Sequence, residues 1–294
     1  MQRVITGALL IIISIVLIIL SKWAMACFII PAGIVGILEF YKLAEGKGIS
    51  PSISNGIFSV VILYLSALFF SRYMIFVLLS LVLLTMFVFV LRKDNHVSSI
   101  LDASVTILGY IYIGWFFSLL FNIRDVVGTV TITACKLTID QGAAMVFLLL
   151  FTTCFTDIGS FCFGKLFGKT KLCPDISPNK TVEGAIGGIF TGIVITFIVG
   201  RLLSLSLLDS LYFGLIITVV AQMGDLWESV LKRDVEVKDS GEALPGHGGV
   251  LDRIDSLLLS TPVAYMQQPH SSGLRHCRAN PRRSLSAHGF SSSP

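Results

Sequence analysis

The sequence predicts an all-α fold, a polytopic membrane helix bundle with eight spans and a truncated ninth. Of the 294 residues, 54% are hydrophobic and only 14% are charged, and the mean hydropathy is +0.84. A chain of this composition is too apolar for an ordinary soluble domain. The apolar residues are also gathered into runs close to the roughly 20 residues that a helix needs to cross a bilayer.

Eight apolar runs approach or reach that length. They are residues 4–20, 23–38, 57–70, 73–91, 103–121, 143–163, 185–202 and 211–224. The first run leads directly into the second and lacks a small-residue cleavage site before Trp23, so we interpret it as a retained helix and not as a signal peptide. The chain then divides into N-terminal membrane helices over 1–141 and a second membrane region over 142–262, with loops at 164–184 and 225–255.

The distribution of Lys and Arg predicts the orientation, because short cytoplasmic loops carry the excess of these residues. With the N-terminus inside, thirteen Lys and Arg residues lie on the cytoplasmic side and five lie outside. The two charged loops then face the cytoplasm together. We therefore expect a multi-pass protein of the inner (cytoplasmic) membrane whose site faces the cytoplasm.

Loop 225–255 is unusually rich in charge for a segment between apolar helices. Twelve of its thirty-one residues are charged, including eight of the chain's eighteen Asp and Glu residues. A solvated loop is the simple alternative, but it has no need for the glycines of "PGHGG" at 245–249. Glycines allow a backbone to approach phosphate oxygens closely, so the pattern favours a phosphate site.

The start of this loop reads as a membrane helix that continues into the cytoplasm. Asp225, Ser229 and Lys232 follow at i, i+4 and i+7 and share one helix face. Mg²⁺ takes oxygen ligands and keeps substrate phosphates in its shell, so a few carboxylates suffice. The predicted Mg²⁺ ligands are Asp225, Asp252 and Asp255. The cations predicted to hold phosphate are Lys232, Arg233, Lys238 and Arg253.

Loop 164–184 supplies a second group of polar residues. Asp157 precedes it within an apolar run, where an ionisable side chain is costly and is a functional candidate, although pairing with a loop lysine would also explain it. "SPNKTVEG" at 177–184 comes just before a glycine-rich helix whose N-terminus can receive an anion. The candidate residues here are Ser177, Lys180, Thr181 and Glu183.

Other classes of site are not supported. The six cysteines form no CxxC pair, so neither a disulfide framework nor a zinc site is indicated. His247 has no second histidine at ligand spacing, and a hydrogen bond to phosphate suits it better. The net charge is only +4, without a basic tract, so nothing supports nucleic-acid binding.

The two loops together resemble the phosphatidate cytidylyltransferases, also called CDP-diacylglycerol synthases. The resemblance covers roughly residues 1–262. It is carried by "SPNKTVEG", where Asn179 stands in place of a second lysine, and by a dense signature in the second loop. The signature residues are Ser229, Lys232, Arg233, Lys238, Asp239, Gly241, Leu244, Pro245, His247, Gly248, Gly249, Asp252, Arg253 and Asp255.

The resemblance implies transfer of a cytidylyl group from CTP to phosphatidic acid at the membrane surface. Asp225, Asp252, Lys232 and Arg253 would be catalytic. Substrate would be held by Ser177, Lys180, Thr181, Glu183, Ser229, Arg233, Lys238, Asp239, His247, Gly248 and Gly249. The expected partners are CTP, phosphatidic acid and the bilayer, with a homodimer as a further candidate assembly.

Two other functions are compatible with an apolar chain that carries charged loops. A polytopic transporter of a phosphorylated solute would share the spans, but it should show repeated halves and charges near the midplane. A CDP-alcohol phosphotransferase would need a DGxxAR-type motif, which the sequence lacks.

The C-terminal tail departs from the rest of the chain. After Asp255 the apolar run covers only 257–266, too short to span, and residues 263–294 have the composition of a disordered segment. We expect that a frameshift or assembly error beginning between about Thr261 and Gln267 replaced a final helix; a true short cytoplasmic tail is the alternative. On the frameshift hypothesis the chain as written is poorly active.

Overall fold

The fold is known from a computed structural model, which describes residues 13–91, 99–132, 136–237, 239–241, 243 and 248–268. Within these ranges the chain forms nine α-helices and two short hairpins. The helices are α1 (Lys22–Glu45), α2 (Ile53–Phe69), α3 (Met74–Leu91), α4 (Ser99–Gly109), α5 (Phe116–Arg124), α6 (Gln141–Phe167), α7 (Val182–Leu202), α8 (Leu207–Asp234) and α9 (Leu251–Met266). The strands pair antiparallel as β1 (Thr129–Ile132) with β2 (Leu137–Asp140), and β3 (Lys171–Cys173) with β4 (Ser177–Thr181).

Six segments of the described chain are long and apolar enough to cross a membrane, so the expected membrane helix bundle is confirmed in its class but not in its span count. The six are Lys22–Glu45, Ser71–Leu91, Ile100–Arg124, Gln141–Phe167, Val182–Leu202 and Leu207–Asp234. Ile53–Phe69, where the run 57–70 was predicted to span, is a shorter apolar helix of 17 residues. Of the first run, residues 13–20 are helical and the part before them lies outside the described residues.

A π-helical turn, Tyr110–Trp115, joins α4 to α5 within one span. A π-turn shifts the backbone hydrogen bonds by one residue, and side chains can take the carbonyls it releases. Here the buried Tyr64 hydroxyl on α2 donates to the carbonyl of Ile113 at 3.2 Å. The buried hydroxyl of Tyr41 on α1 donates to the Thr106 carbonyl on α4 at 2.8 Å. These bonds fix α1 and α2 against the interrupted span.

Helices α6, α7 and α8 pack closely because α7 presents small residues to both neighbours. Gly187 and Gly188 face α6, and a Cβ on Gly188 would lie 2.8 Å from the Thr156 carbonyl. Between the same two helices, the Thr152 and Thr196 hydroxyl oxygens are 2.7 Å apart. Without a hydrophobic driving force in lipid, such close packing and interhelical hydrogen bonds hold membrane helices together.

Charged side chains join the loops predicted to lie outside. Lys22 forms an ion pair with Asp125 at 2.9 Å, and Arg124 forms one with Asp140 at 2.9 Å. The buried Arg124 also donates from Nε to the carbonyl of Ile18 at 2.8 Å. This arrangement ties the end of the first helical segment to the loop after α5. The four described cysteines, Cys27, Cys154, Cys162 and Cys173, are all free.

Helix α9 continues past residue 262, where the second membrane region was predicted to end. Residues 257–266, predicted as a truncated span, are the second part of a 16-residue helix that runs through Pro262 to Met266. The Ser260 and Thr261 hydroxyls donate to carbonyls one turn back, each at 2.7 Å, so these polar residues are satisfied within the helix. Since α9 packs against α8 and α5, its Leu258 is fully buried. Residues 269–294 of the predicted disordered tail lie outside the described residues.

Candidate active site

A cavity of about 480 Å³ opens between α6, β4, α7 and α8. Four of the predicted site residues line it: Ser177, Lys180, Thr181 and Asp225. Asp157 on α6 lines it too, and apolar walls come from Phe161, Leu172 and Leu226. Charged and apolar surfaces therefore meet in one space, as the two loops predicted.

Lys180 and Asp225 form an ion pair across the cavity, with Nζ and Oδ1 2.8 Å apart. The Lys180 side chain is 25% exposed and that of Asp225 is 37% exposed. The Nζ atom of Lys180 is itself buried, whereas the Asp225 side chain is partly accessible. A ligand would therefore reach Lys180 by taking the place of Asp225.

Thr181 and Glu183 hold the backbone around the cavity. Thr181 is the N-cap of α7, and its hydroxyl accepts a hydrogen bond from the Gly184 N–H at 3.1 Å. The Glu183 carboxylate accepts the N–H groups of Lys169 and Thr170, each at 3.1 Å. Glu183 is absent from the cavity lining, so its geometry fits an organising role for the loop after α6.

Three carboxylates from three helices lie in one region: Asp157 and Asp225 line the cavity, and Asp255 packs beside Gly224, the neighbour of Asp225. Asp157 on α6 and Asp255 on α9 are linked through Ser256, whose hydroxyl lies 3.5 Å from Asp157 Oδ2 and 3.4 Å from Asp255 Oδ1. Burial and the neighbouring charge of Asp225 raise the pKa of Asp255 above its ordinary value. Carboxylates arranged in this way attract a cation.

A second group of charges surrounds the start of α9, and we call it the α9 cap cluster: Glu39, Glu228, Lys232, Ser240, Gly249 and Asp252. Lys232 lies between two acids, pairing with Glu228 one turn earlier on α8 and with Asp252 Oδ1 at 2.8 Å. Asp252 Oδ2 accepts the N–H groups of Gly249 at 2.9 Å and Ser240 at 3.1 Å.

Both Asp252 oxygens are thus engaged by protein donors. Burial raises the pKa of Asp252, but its interactions with Glu228, Lys232 and the Gly249 N–H outweigh that and hold the pKa below its ordinary range. Its predicted role as a metal ligand remains a prediction, and this geometry weighs against it. Among the residues that the structure describes, no three His, Cys, Asp or Glu side chains are arranged to hold a metal ion.

The other predicted residues lie around these two groups. The Ser229 hydroxyl donates to the Asp225 carbonyl at 2.9 Å, and Arg233 Nε donates to the Ile176 carbonyl at 3.1 Å. Asp239 and Arg253 are exposed, and Gly248 has a φ of +84°, a backbone conformation that glycine adopts freely. Lys238 and His247 lie outside the described residues.

Two acids of the α9 cap cluster, Glu39 and Glu228, were not predicted from the sequence. Glu39 on α1 is only 6% exposed and accepts the N–H groups of Val250 and Leu251 at 3.1 and 2.8 Å. It directly follows the apolar run 23–38, and an acid at the edge of a span is itself a signal. Glu228 is 1% exposed, and its spacing of four residues from Lys232 was the signal available for it.

Comparison with known proteins identifies the family of this chain. A model of the cytidylyltransferase family matches residues 1–268. The chain belongs to this family. It is 35% identical over 276 residues to a phosphatidate cytidylyltransferase of Bacillus subtilis, covering 90% of this chain and 96% of that one.

Two further relatives carry the same name. A phosphatidate cytidylyltransferase of Helicobacter pylori is 36% identical over 260 residues, which is 87% of each chain. One of Synechocystis is 31% identical over 282 residues, covering 90% of this chain and 94% of that protein. The family expected from the loop motifs is therefore confirmed, and its match includes α9.

Proposed function

We propose that this protein transfers a cytidylyl group from CTP to phosphatidic acid, giving CDP-diacylglycerol and pyrophosphate for phospholipid synthesis. The single observation that carries the proposal is the half-buried Lys180–Asp225 pair in a cavity with apolar walls. A water-soluble nucleotide and a lipid phosphate need such a junction of charged and apolar surface. The names of the family members support the same substrates.

In the proposed reaction, a phosphatidate oxygen attacks the α-phosphorus of CTP. The new P–O bond forms as the bond between the α-phosphorus and the oxygen bridging to the β-phosphorus breaks, and pyrophosphate leaves. A phosphate monoester is largely ionised near neutral pH, so the attack needs no general base. Positioning and charge neutralisation dominate such transfers.

Lys180 is the cation best placed for this work, because it lines the cavity and is paired there with Asp225, whose side chain is 37% exposed. It would neutralise phosphate oxygens as charge develops on the leaving pyrophosphate. Lys232 is held between Glu228 and Asp252, so its proposed contribution is to the geometry of the α9 cap cluster and to the local field. Arg233, exposed beside Ile176, is available to the outer phosphates.

Asp225 and Asp255 are the residues that would hold Mg²⁺. The fit rests on geometry, since a Cβ on Gly224, the neighbour of Asp225, would lie 2.7 Å from the Asp255 carbonyl oxygen. It also rests on the preference of Mg²⁺ for one or two carboxylates together with substrate phosphates. Bound there, Mg²⁺ would supply positive charge to the phosphate oxygens. Asp157 lies near enough to add to this field.

The proposal includes a location and an orientation. Six apolar helices and bacterial relatives suggest a multi-pass membrane protein. The excess of Lys and Arg on one side supports insertion in the inner membrane with the cavity facing the cytoplasm. A homodimer remains a candidate assembly.

Incorporation of radiolabelled CTP into chloroform-soluble lipid tests the function directly. Membranes containing the protein should convert phosphatidic acid to labelled CDP-diacylglycerol in the presence of Mg²⁺. Chelation of Mg²⁺ should abolish this activity. Glycerol 3-phosphate should not substitute, because it lacks acyl chains, whose burial contributes about 0.8 kcal/mol per CH₂. Equal turnover of that soluble phosphate would indicate a different substrate class.

A further inference from the structure

The start of α9 is an unusual helix terminus. The first N–H groups of a helix have no partner within it, and a Ser, Thr, Asp or Asn side chain at the N-cap normally accepts one of them. Here the N-cap is Val250, which has no polar side chain, and it makes no side-chain cap bond. The N–H groups of Val250 and Leu251 instead bond to Glu39, which lies on α1.

Glu39 takes these bonds with both carboxylate oxygens. Oε1 accepts from Val250 at 3.1 Å, and Oε2 accepts from Leu251 at 2.8 Å and from the Ser240 hydroxyl at 3.4 Å. In the part of the chain that the structure describes, no ion pair involves Glu39. The charge of this buried acid is therefore met by the positive end of the α9 dipole and by one hydroxyl.

Two glycines of the signature leave space for this acid. A Cβ on Gly241 would lie 2.7 Å from Glu39 Cδ, and a Cβ on Gly249 would lie 2.8 Å from Glu39 Oε2. Any larger residue at either position would displace the carboxylate or the loop. The glycines of the second loop thus admit a protein carboxylate to the backbone, in addition to any role toward phosphate.

The helix start that Glu39 holds carries two predicted site residues, Asp252 and Asp255. Asp252 lies one residue after Leu251, bonds to the N–H groups of Ser240 and Gly249, and fixes Lys232. Asp255 lies one turn further along the same helix, where the Ser256 hydroxyl links it to Asp157 and its backbone packs against Gly224, the neighbour of Asp225. The position of the α9 start therefore sets where Asp255 meets Asp225.

We infer that Glu39 is a positioning residue for cytidylyl transfer, acting from the N-terminal membrane helices by capping α9. The inference rests on the proposed function and goes beyond it, since it assigns a role in the reaction to a residue outside both charged loops. Glu39 need not touch either substrate. Its loss should alter turnover through the placement of Asp252 and Asp255.

Glu39→Gln keeps the volume but replaces one accepting oxygen with a donor, which would face an N–H group of α9. A misplacement of about 1 Å costs on the order of 100-fold in rate, so kcat per folded molecule should fall by about that factor. KM for CTP should stay within about threefold of the wild-type value, because Lys180 and the cavity are untouched. Glu45→Gln, an exposed change on the same helix, is the matched control and should leave kcat unchanged.

Two further variants keep the test decisive if Glu39→Gln reduces the amount of folded protein. Glu39→Asp restores the charge with a shorter reach and should recover part of the lost kcat. Ser240→Ala removes one donor to Glu39, and we expect kcat to fall on the order of tenfold at constant KM. In the Glu39→Gln background the same serine change should have a much smaller effect.

Wild-type kcat in folded Glu39→Gln, or in both Glu39→Asp and Ser240→Ala, would overturn the inference. So would additive effects of the Glu39 and Ser240 changes. A purely structural role would lower the yield or the thermal midpoint and leave kcat per folded molecule intact. Failure of the proposed function itself is distinguishable, because the wild-type protein would then make no CDP-diacylglycerol.

Discussion

The cavity and the α9 cap cluster use the same residue types in opposite ways. In the cavity, Lys180 and Asp225 form one ion pair and stay 25% and 37% exposed. In the cluster, Lys232 and Asp252 are 15% and 11% exposed, and every cluster carboxylate has at least one protein donor. The difference indicates a division of roles: the partly enclosed charges line the cavity proposed to receive substrate, whereas the more enclosed charges hold the backbone at the start of α9.

The sharpest test of this comparison is Asp225→Asn in the cavity. Removing the charge should lower transfer on the order of 1000-fold, since it removes a proposed metal ligand and the partner of Lys180. The thermal midpoint in detergent should fall less than for a change in the α9 cap cluster, because the Lys180–Asp225 pair is less enclosed than the Lys232–Asp252 pair. Asp234→Asn is the matched control on α8, as its pair with Lys47 is on the surface. Wild-type-like turnover would remove Asp225 from the site.

Asp252→Asn should differ in kind. It weakens a largely enclosed ion pair and one acceptor for two backbone N–H groups, so stability should fall by roughly 2 to 3 kcal/mol along with a loss of activity on the order of 100-fold. Activity and the thermal midpoint, measured on the same preparations, check both effects. If Asp252→Asn lost activity at an unchanged midpoint, the original assignment of Asp252 as a metal ligand would regain support.

Asp255→Asn should have an intermediate effect. We expect transfer to fall about tenfold at saturating Mg²⁺, and the Mg²⁺ concentration for half-maximal activity to rise, because one of two ligand charges is lost. A magnesium titration of the membrane activity measures this. Asp175→Asn, an exposed change in the turn between β3 and β4, provides the comparison and should leave the titration unaltered.

The smallest effect is expected for Ser229→Ala. Its hydroxyl donates to the Asp225 carbonyl within the helix, a bond that the backbone can lose cheaply. Turnover should stay within about twofold of wild type, measured by the same lipid-labelling assay. A loss beyond tenfold would place Ser229 in contact with substrate, as the family signature implied.

The helices were predictable from the sequence because lipid requires long apolar stretches with satisfied backbones. The run 143–163 became α6, with only the ends extended. The apolar run 211–224 stopped where charges begin, but the helical spacing of Asp225, Ser229 and Lys232 predicted the continuation that α8 shows to Asp234. Hydropathy measures compatibility with lipid, but helical hydrogen bonding continues into water. Hydropathy alone therefore underestimates the length of a helix that leaves the membrane.

The meeting of Lys180 and Asp225 at one site could also be predicted from the sequence. Each lies in a dense local motif, and the predicted topology places both motifs on the cytoplasmic side of the membrane. The role of Asp252 could not be predicted, because residue type alone cannot distinguish a carboxylate that binds metal from one that accepts backbone N–H groups. Glu39 was the hardest case. Its partners Val250 and Leu251 are 211 and 212 residues away in sequence, so only the folded chain reveals the contact.

That separation also has a consequence for biosynthesis. A ribosome makes Glu39 long before it makes Val250 and Leu251, so the nascent chain must insert α1 while this acid still lacks the N–H groups that will satisfy it. An uncompensated carboxylate near apolar surroundings is costly, which keeps the early assembly loose until α9 arrives. A chain interrupted before α9 would retain that defect and present it to quality-control proteases. Synthesis of α9 thus supplies the N–H groups that Glu39 on α1 needs.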